Sequence, residues 1–223
     1  MKAKTLCSMF VVVAMLTGPA AATKRHHDRS CQGKFPASGQ TTAYQADKND
    51  GIPGPVDVPD DGTVEAGATL SYRDNGDGTI TDRNTKLTWE KKSDDGSLHD
   101  QDNIYFWSSG SQETIWDWLE DVNAEGGRGF AGHDDWRIPN VKELLSIIDH
   151  GRASPSIAPV FNTNCTGSTV LTGSCTNTST PYFSSSTIVT DPSIAYCVQF
   201  DGGGILGGCG GSFPVRAVRG GCR

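Results

Sequence analysis

The sequence predicts an α+β domain held by disulfides, and three observations predict it. Two segments repeat apolar residues at helical spacing. Several short segments alternate β-forming and polar residues, and an even set of cysteines follows a removable leader. The expected arrangement is two helices packed on short antiparallel strands, with long loops between them.

The leader comes first. Lys2 and Lys4 precede an apolar run from Leu6 to Leu16, followed by Gly18, Pro19 and small residues including Ala20 and Ala22. A basic start, a short apolar stretch and an A-x-A cleavage pattern describe a secretory signal peptide over 1–22. The run is too short to span a bilayer, and no later segment is long and apolar enough. Removing Lys2 and Lys4 from 19 basic and 26 acidic side chains takes the formal net charge from −7 to −9. Such acidity disfavours nucleic acid and anionic membrane as partners. Residues 23–69 read as an irregular N-terminal arm, polar and basic over 23–30 and then rich in Gly, Pro, Asp and Thr over 31–69, held by Cys31, Phe35 and Tyr44, ahead of a folded domain over 70–223.

Each element has a local cause. In "LSYRDNGDGTITDRNTKLTWEKK", β-forming residues flank the turn-rich "DNGDG", which predicts a hairpin. In "ETIWDWLEDVNAEGG", Ile115, Trp118, Leu119 and Val122 form one apolar stripe, and Gly126 and Gly127 end the helix. Trp116 sits at the edge of that stripe. In "WRIPNVKELLSIIDHG", Trp136 and Ile138 alternate with Asp135 and Arg137 as in a strand. Pro139 then bars helix at Ile138, and Asn140 with Glu143 makes a capping box. Val141, Leu144, Leu145 and Ile148 continue the stripe to Gly151. Residues 151–181 read as loop, and "YFSSSTIV", "IAYCVQF" and "FPVRAVR" as terminal strands.

Cys31, Cys165, Cys175, Cys197, Cys209 and Cys222 follow the leader. Their connectivity is open on sequence grounds. Loop spacing suggests Cys165–Cys175 and Cys197–Cys209, with a hairpin centred on Gly203 setting the second pair opposite each other; Cys31–Cys222 would then tie the ends. No C-x-x-C spacing and no neighbouring histidine favours a metal instead. "NCT" and "NTS" match the glycan acceptor pattern, which matters only in a host that glycosylates it.

Candidate chemistry is sparse. Asp134 and Asp135 would point to opposite faces of a strand, so they read as a turn aspartate and one paired with Arg137 or a backbone amide. A secreted enzyme would need both carboxylates in one pocket. The acidic loops beginning at Asp47, Asp57 and Asp74 all miss the EF-hand ligand pattern. What remains for a cation is a different calcium site around Asp74 and Asp77; no other cofactor is expected. HExxH, GxSxG and P-loop patterns are missing, and the histidines at 26, 27, 99, 133 and 150 are scattered. Trp118 and Trp136 belong to the core by periodicity. Trp107, in a loop without periodic partners, and Trp116 are candidates for contact with sugar or protein, as are Arg128 and Arg152.

"YRDNGDGTITDRNTKLTWEKK", "TIWDWLEDVNA", "GHDDWRIPNVKELLSIID", "YFSSST" and "VRAVRG" occur in that order. Together they resemble the family named after the C-terminal domain of the Legionella collagen-like protein (Lcl), from about Phe35 to Arg219. The resemblance implies an exported bacterial protein; the namesake is a surface adhesin that binds sulfated glycosaminoglycans. The "WRIP…E" block also looks like "RLPTEAEW" of formylglycine-generating enzymes, which implies a C-type-lectin-like fold. This chain lacks the namesake's collagen-like stalk and the EPN, QPD and WND triplets of calcium-dependent lectins. A polyanion ligand would need Arg128, Arg137, Arg152, Arg216 and Arg219 to cluster. The expectation is an exported, non-catalytic binding or adhesion module for a glycan or surface protein, met through loops 98–112 and 151–181. A structural envelope component is the alternative, beside the enzyme already weighed.

Overall fold

The structure is a computed structural model that describes residues 33–42, 45–46, 53–54, 60–108 and 112–221. The expected signal peptide over 1–22, Tyr44, Cys31 and Cys222 lie outside the described residues, and so does the bridge expected between those cysteines. Within the arm, β1 (Gln45–Ala46) pairs with β2 (Pro53–Gly54), and α1 (Asp61–Val64) is a single turn capped by Asp60. Phe35, expected to help hold the arm, is 86% exposed and is tied by its backbone, its carbonyl accepting from the Ala68 N–H at 2.8 Å.

The predicted hairpin forms as β3 (Tyr72–Asp74) and β4 (Thr79–Asp82), with Asp74 opposite Ile80. Asn75 and Asp77 shape its turn through hydrogen bonds to Thr79 and Thr81. β5 (Leu87–Glu90) pairs with β4, and the C-terminal β11 (Val218–Gly220) returns to cover β5. The resulting antiparallel sheet has the order β11-β5-β4-β3. Two further strands, β6 (Tyr105–Phe106) and β10 (Ser212–Phe213), pair with each other. β7 (Tyr182–Ile188), β8 (Asp191–Gln199) and β9 (Gly204–Cys209) form a second antiparallel sheet, β9 at its edge.

Helix α2 (Ile115–Ala124) starts at Thr114, whose hydroxyl and backbone N–H complete a capping box with Asp117. Ile115, Trp118 and Val122 are buried as the periodicity requires. Gly126 and Gly127 both take positive φ at the exit. Helix α3 (Val141–Leu145) is shorter than its stripe suggests. Asn140 and Glu143 build the predicted capping box, but Ile147 and Ile148 reach the core from a turn, and Ile148 bridges to Ile157. Apolar spacing alone does not distinguish a helical turn from a tight non-helical one when both bury the same side chains.

The segment at 136–138 is a single bridge rather than a strand: Arg137 exchanges both backbone hydrogen bonds with Val218, at 2.9 Å each. Trp136 is fixed on three sides. Its backbone N–H donates to Asn123 Oδ1 at 2.8 Å, its carbonyl accepts from Asn123 Nδ2 at 3.0 Å, and its indole N–H donates to the Phe130 carbonyl at 2.9 Å. The turn before it depends on Gly129 at φ 78°, where a Cβ would lie 1.9 Å from the His133 carbonyl oxygen.

Cys165–Cys175 and Cys197–Cys209 are bonded as expected. The second pair corrects the expected geometry, because Cys197 lies opposite Leu206 and Cys209 opposite Ala195. A bulge between Ala195 and Tyr196 shifts the register, so the bridge runs diagonally across the β8–β9 hairpin. Two clusters of buried side chains fill the interior. One centres on Trp118, Trp136 and Phe183 between α2 and the second sheet, the other on Trp89, Phe161 and Leu144 beneath the first sheet.

Candidate functional site

Strand β5 and its extension, "WEKK", bring charge into the centre of the molecule. Trp89, Glu90, Lys91 and Lys92 are all buried, because β4 and β11 flank the strand and both of its faces are covered. Glu90 accepts from the Ala217 N–H at 2.7 Å through one carboxylate oxygen. The other oxygen lies 2.7 Å from His99 Nδ1 and 3.1 Å from Lys92 Nζ. Lys92 also stands 5.0 Å from the Trp118 ring centroid, and His99 stacks on Phe130 at 4.1 Å. On its far side His99 Nε2 meets Glu125 at 3.1 Å. Arg216 is buried beside them, donating to the carbonyls of Glu90 and Cys175 and to the Thr176 hydroxyl, with its guanidinium over Phe161 and Tyr182.

The protonation of this cluster follows from its contacts. Burial works against ionisation of Glu90, but the charge of Lys92 and the hydrogen bond and charge of His99 outweigh it and hold the carboxyl below its ordinary range. Burial likewise disfavours the His99 cation, yet the hydrogen bond and charge of Glu90 raise its pKa above the ordinary value. Burial lowers the Lys92 pKa against the pull of Glu90. These groups neutralise one another inside the core, as a structural ionic network does, although the buried Arg216 Nε has no hydrogen-bond partner. Sequence reasoning missed them. The signal was present: a run of three charged residues extending an apolar strand is costly unless partners arrive from elsewhere in the chain.

The stretch "GHDDWRIP" gathers no carboxylate pair in a pocket. His133, Asp134 and Asp135 are all exposed. Asp135 pairs with Arg219, at 2.6 Å and 3.3 Å, rather than with Arg137, and that hydrogen bond holds its carboxyl below the usual range. Arg137 instead forms a two-pronged bridge to Glu143, both distances 2.7 Å. The arginine cluster considered for a polyanion is therefore dispersed in role: Arg216 is core, and Arg137 and Arg219 are paired. Arg128 and Arg152 are exposed.

Asp74 Oδ2 receives Lys91 Nζ at 2.9 Å and Oδ1 receives the Gly76 N–H. Asp77 accepts from the N–H and hydroxyl of Thr79. Both carboxylates act in the turn, and no group of three His, Cys, Asp or Glu among the described residues is placed to hold a metal ion.

Trp107 is buried, not displayed by its loop. Its indole N–H donates to the Pro192 carbonyl at 3.2 Å and its ring packs on Phe183. Trp116 is 43% exposed and meets Trp107 edge to face at 5.6 Å. The outer face of α2 thus presents an indole with a fixed aromatic base. Glu113, Asp117, Glu120 and Asp121 lie exposed around it, and residues 113–127 contain no Lys or Arg.

The architecture is thus a disulfide-held α+β domain with an ionic network in its core and one tryptophan exposed on the outer face of α2. The Lcl C-terminal domain family matches residues 78–219, and the chain belongs to that family. The match begins in the turn of the hairpin and leaves the arm and β3 outside, a narrower span than the motifs suggest from Phe35. No curated protein and no solved structure matches the chain. Family and disulfides are consistent with an exported protein. No helix among the described residues is long and apolar enough to cross a membrane.

Proposed function

We propose that the protein is an exported, non-catalytic binding module whose contact face for a glycan is centred on Trp116. One observation carries this reading: an indole 43% exposed at the N-terminal end of a capped helix, backed by a tryptophan that is itself tied to Pro192. A rigid aromatic face gives contact area at small entropic cost and stacks on the apolar face of a sugar ring. The acidic residues around Trp116 repel a sulfated polymer, so the ligand is a neutral or amino-sugar glycan, not a polyanion. The case against catalysis rests on the same economy of charge: Glu90, Lys92 and His99 hold one another in the core, and the exposed Asp135 is held by Arg219. A C-type-lectin-like architecture fits this role, and the mixture of short helices, antiparallel strands and long loops is compatible with it.

The test is a glycan array probed with the mature protein and with Trp116→Ala. Binding to neutral or amino-sugar glycans should be lost in the variant, with thermal stability changed little, since the residue is a surface one. Equal binding by the two proteins, or hydrolysis of any bound glycan, would overturn the proposal.

A further inference from the structure

A concave surface lies apart from the Trp116 face. Residues 33–38 run along α3 and the end of β11, held by backbone hydrogen bonds from Lys34 to Asn84, between Ala37 and Ala68, and from His150 to Ser38. Between them opens a groove of about 920 Å³. Leu87 and Ile148, both nearly fully buried, form its floor with Leu145, and Pro36, Ala37 and Ala66 complete the apolar lining. The volume is at the upper end of what a single small ligand occupies, and a chiefly apolar lining with few polar groups is the usual composition of such a site.

Charge at the rim selects the ligand. Arg137 is neutralised by Glu143, while Asp61, which accepts a hydrogen bond from the Ser38 hydroxyl, keeps its negative charge. Lys34 and Lys142 line the same groove, are exposed, and pair with no carboxylate among the described residues. Set against Asp61, these two lysines leave the lining one positive charge in excess, in a chain whose net charge is −7. We propose that this groove binds a fatty acid, the alkyl chain along the Leu87–Leu145–Ile148 floor and the carboxylate between Lys34 and Lys142. An apolar chain with an anionic end satisfies floor and rim together; a neutral sugar satisfies neither.

Dodecanoate, kept below its micelle-forming concentration, is titrated calorimetrically into the mature protein. Saturable one-to-one binding is expected, with dodecyltrimethylammonium, of equal chain length and opposite charge, bound more weakly. The double variant Lys34→Glu/Lys142→Glu should weaken dodecanoate about tenfold. Ala66→Trp, at an exposed lining position, should block it. All three substituted positions are tested in folded protein by requiring an unchanged thermal midpoint. Equal affinity for anion and cation, indifference to charge reversal, or failure to bind dodecanoate would each overturn the assignment. Glycan binding through Trp116 is measured separately and stands or falls without it.

Discussion

Removing the charge of Glu90 tests the most consequential feature of the core. In Glu90→Gln the side chain keeps its shape and an acceptor oxygen for the Ala217 N–H or for His99. What it loses is the negative charge 3.1 Å from Lys92 Nζ, in a site where both residues have no more than 1% side-chain exposure. Removing one member of a buried ion pair leaves the other charge without compensation, at a cost of about 3–5 kcal/mol. Because glutamine retains part of the hydrogen bonding, the lower end applies, about 3 kcal/mol. For a domain of this size each kcal/mol moves the thermal midpoint by roughly 2–4 °C, so a fall of roughly 6–12 °C is expected. Guanidinium denaturation with the disulfides intact gives the free energy directly. The double variant Glu90→Gln/Lys92→Met, which also removes the stranded ammonium, should recover at least about 1.5 kcal/mol relative to additivity. A loss below about 1 kcal/mol in the single variant, or strict additivity in the double, would refute the view that the pair is mutually neutralised in the core.

The same network makes stability depend on pH. Glu90 has a lowered folded pKa, so its contribution is complete above the carboxylate's ordinary value of 4.5 and declines as pH falls through the folded value. His99 has a raised folded pKa, so its contribution is complete below the ordinary 6.5 and is lost as pH rises through the folded value. Stability measured across pH should therefore lose the His99 contribution above pH 6.5 in the natural protein but not in His99→Gln; parallel curves for the two would contradict this. Asn140→Ala removes the acceptor for the Lys142 and Glu143 N–H groups and should cost about 1 kcal/mol by the same denaturation assay. An unchanged midpoint would mean that α3 does not depend on its cap.

What was legible in the chain was whatever neighbouring residues decide between themselves. The Asn140–Glu143 box, the stripe of α2, the "DNGDG" hairpin and the Cys165–Cys175 loop are all short-range, and each stands in the structure as its residue types dictate. The family was legible for the same reason, since its motifs are these local devices in a fixed order. Tertiary structure decided which charges are inside. Glu90 meets His99 and Ala217, Asp135 meets Arg219, and Trp107 meets Pro192 across separations that no local pattern encodes. The length of α3 and the diagonal Cys197–Cys209 bridge were settled likewise, by where the core lay and by a bulge in β8. A cap or a turn is an energy balance within a few residues, whereas burial of a charge depends on a partner delivered by folding itself.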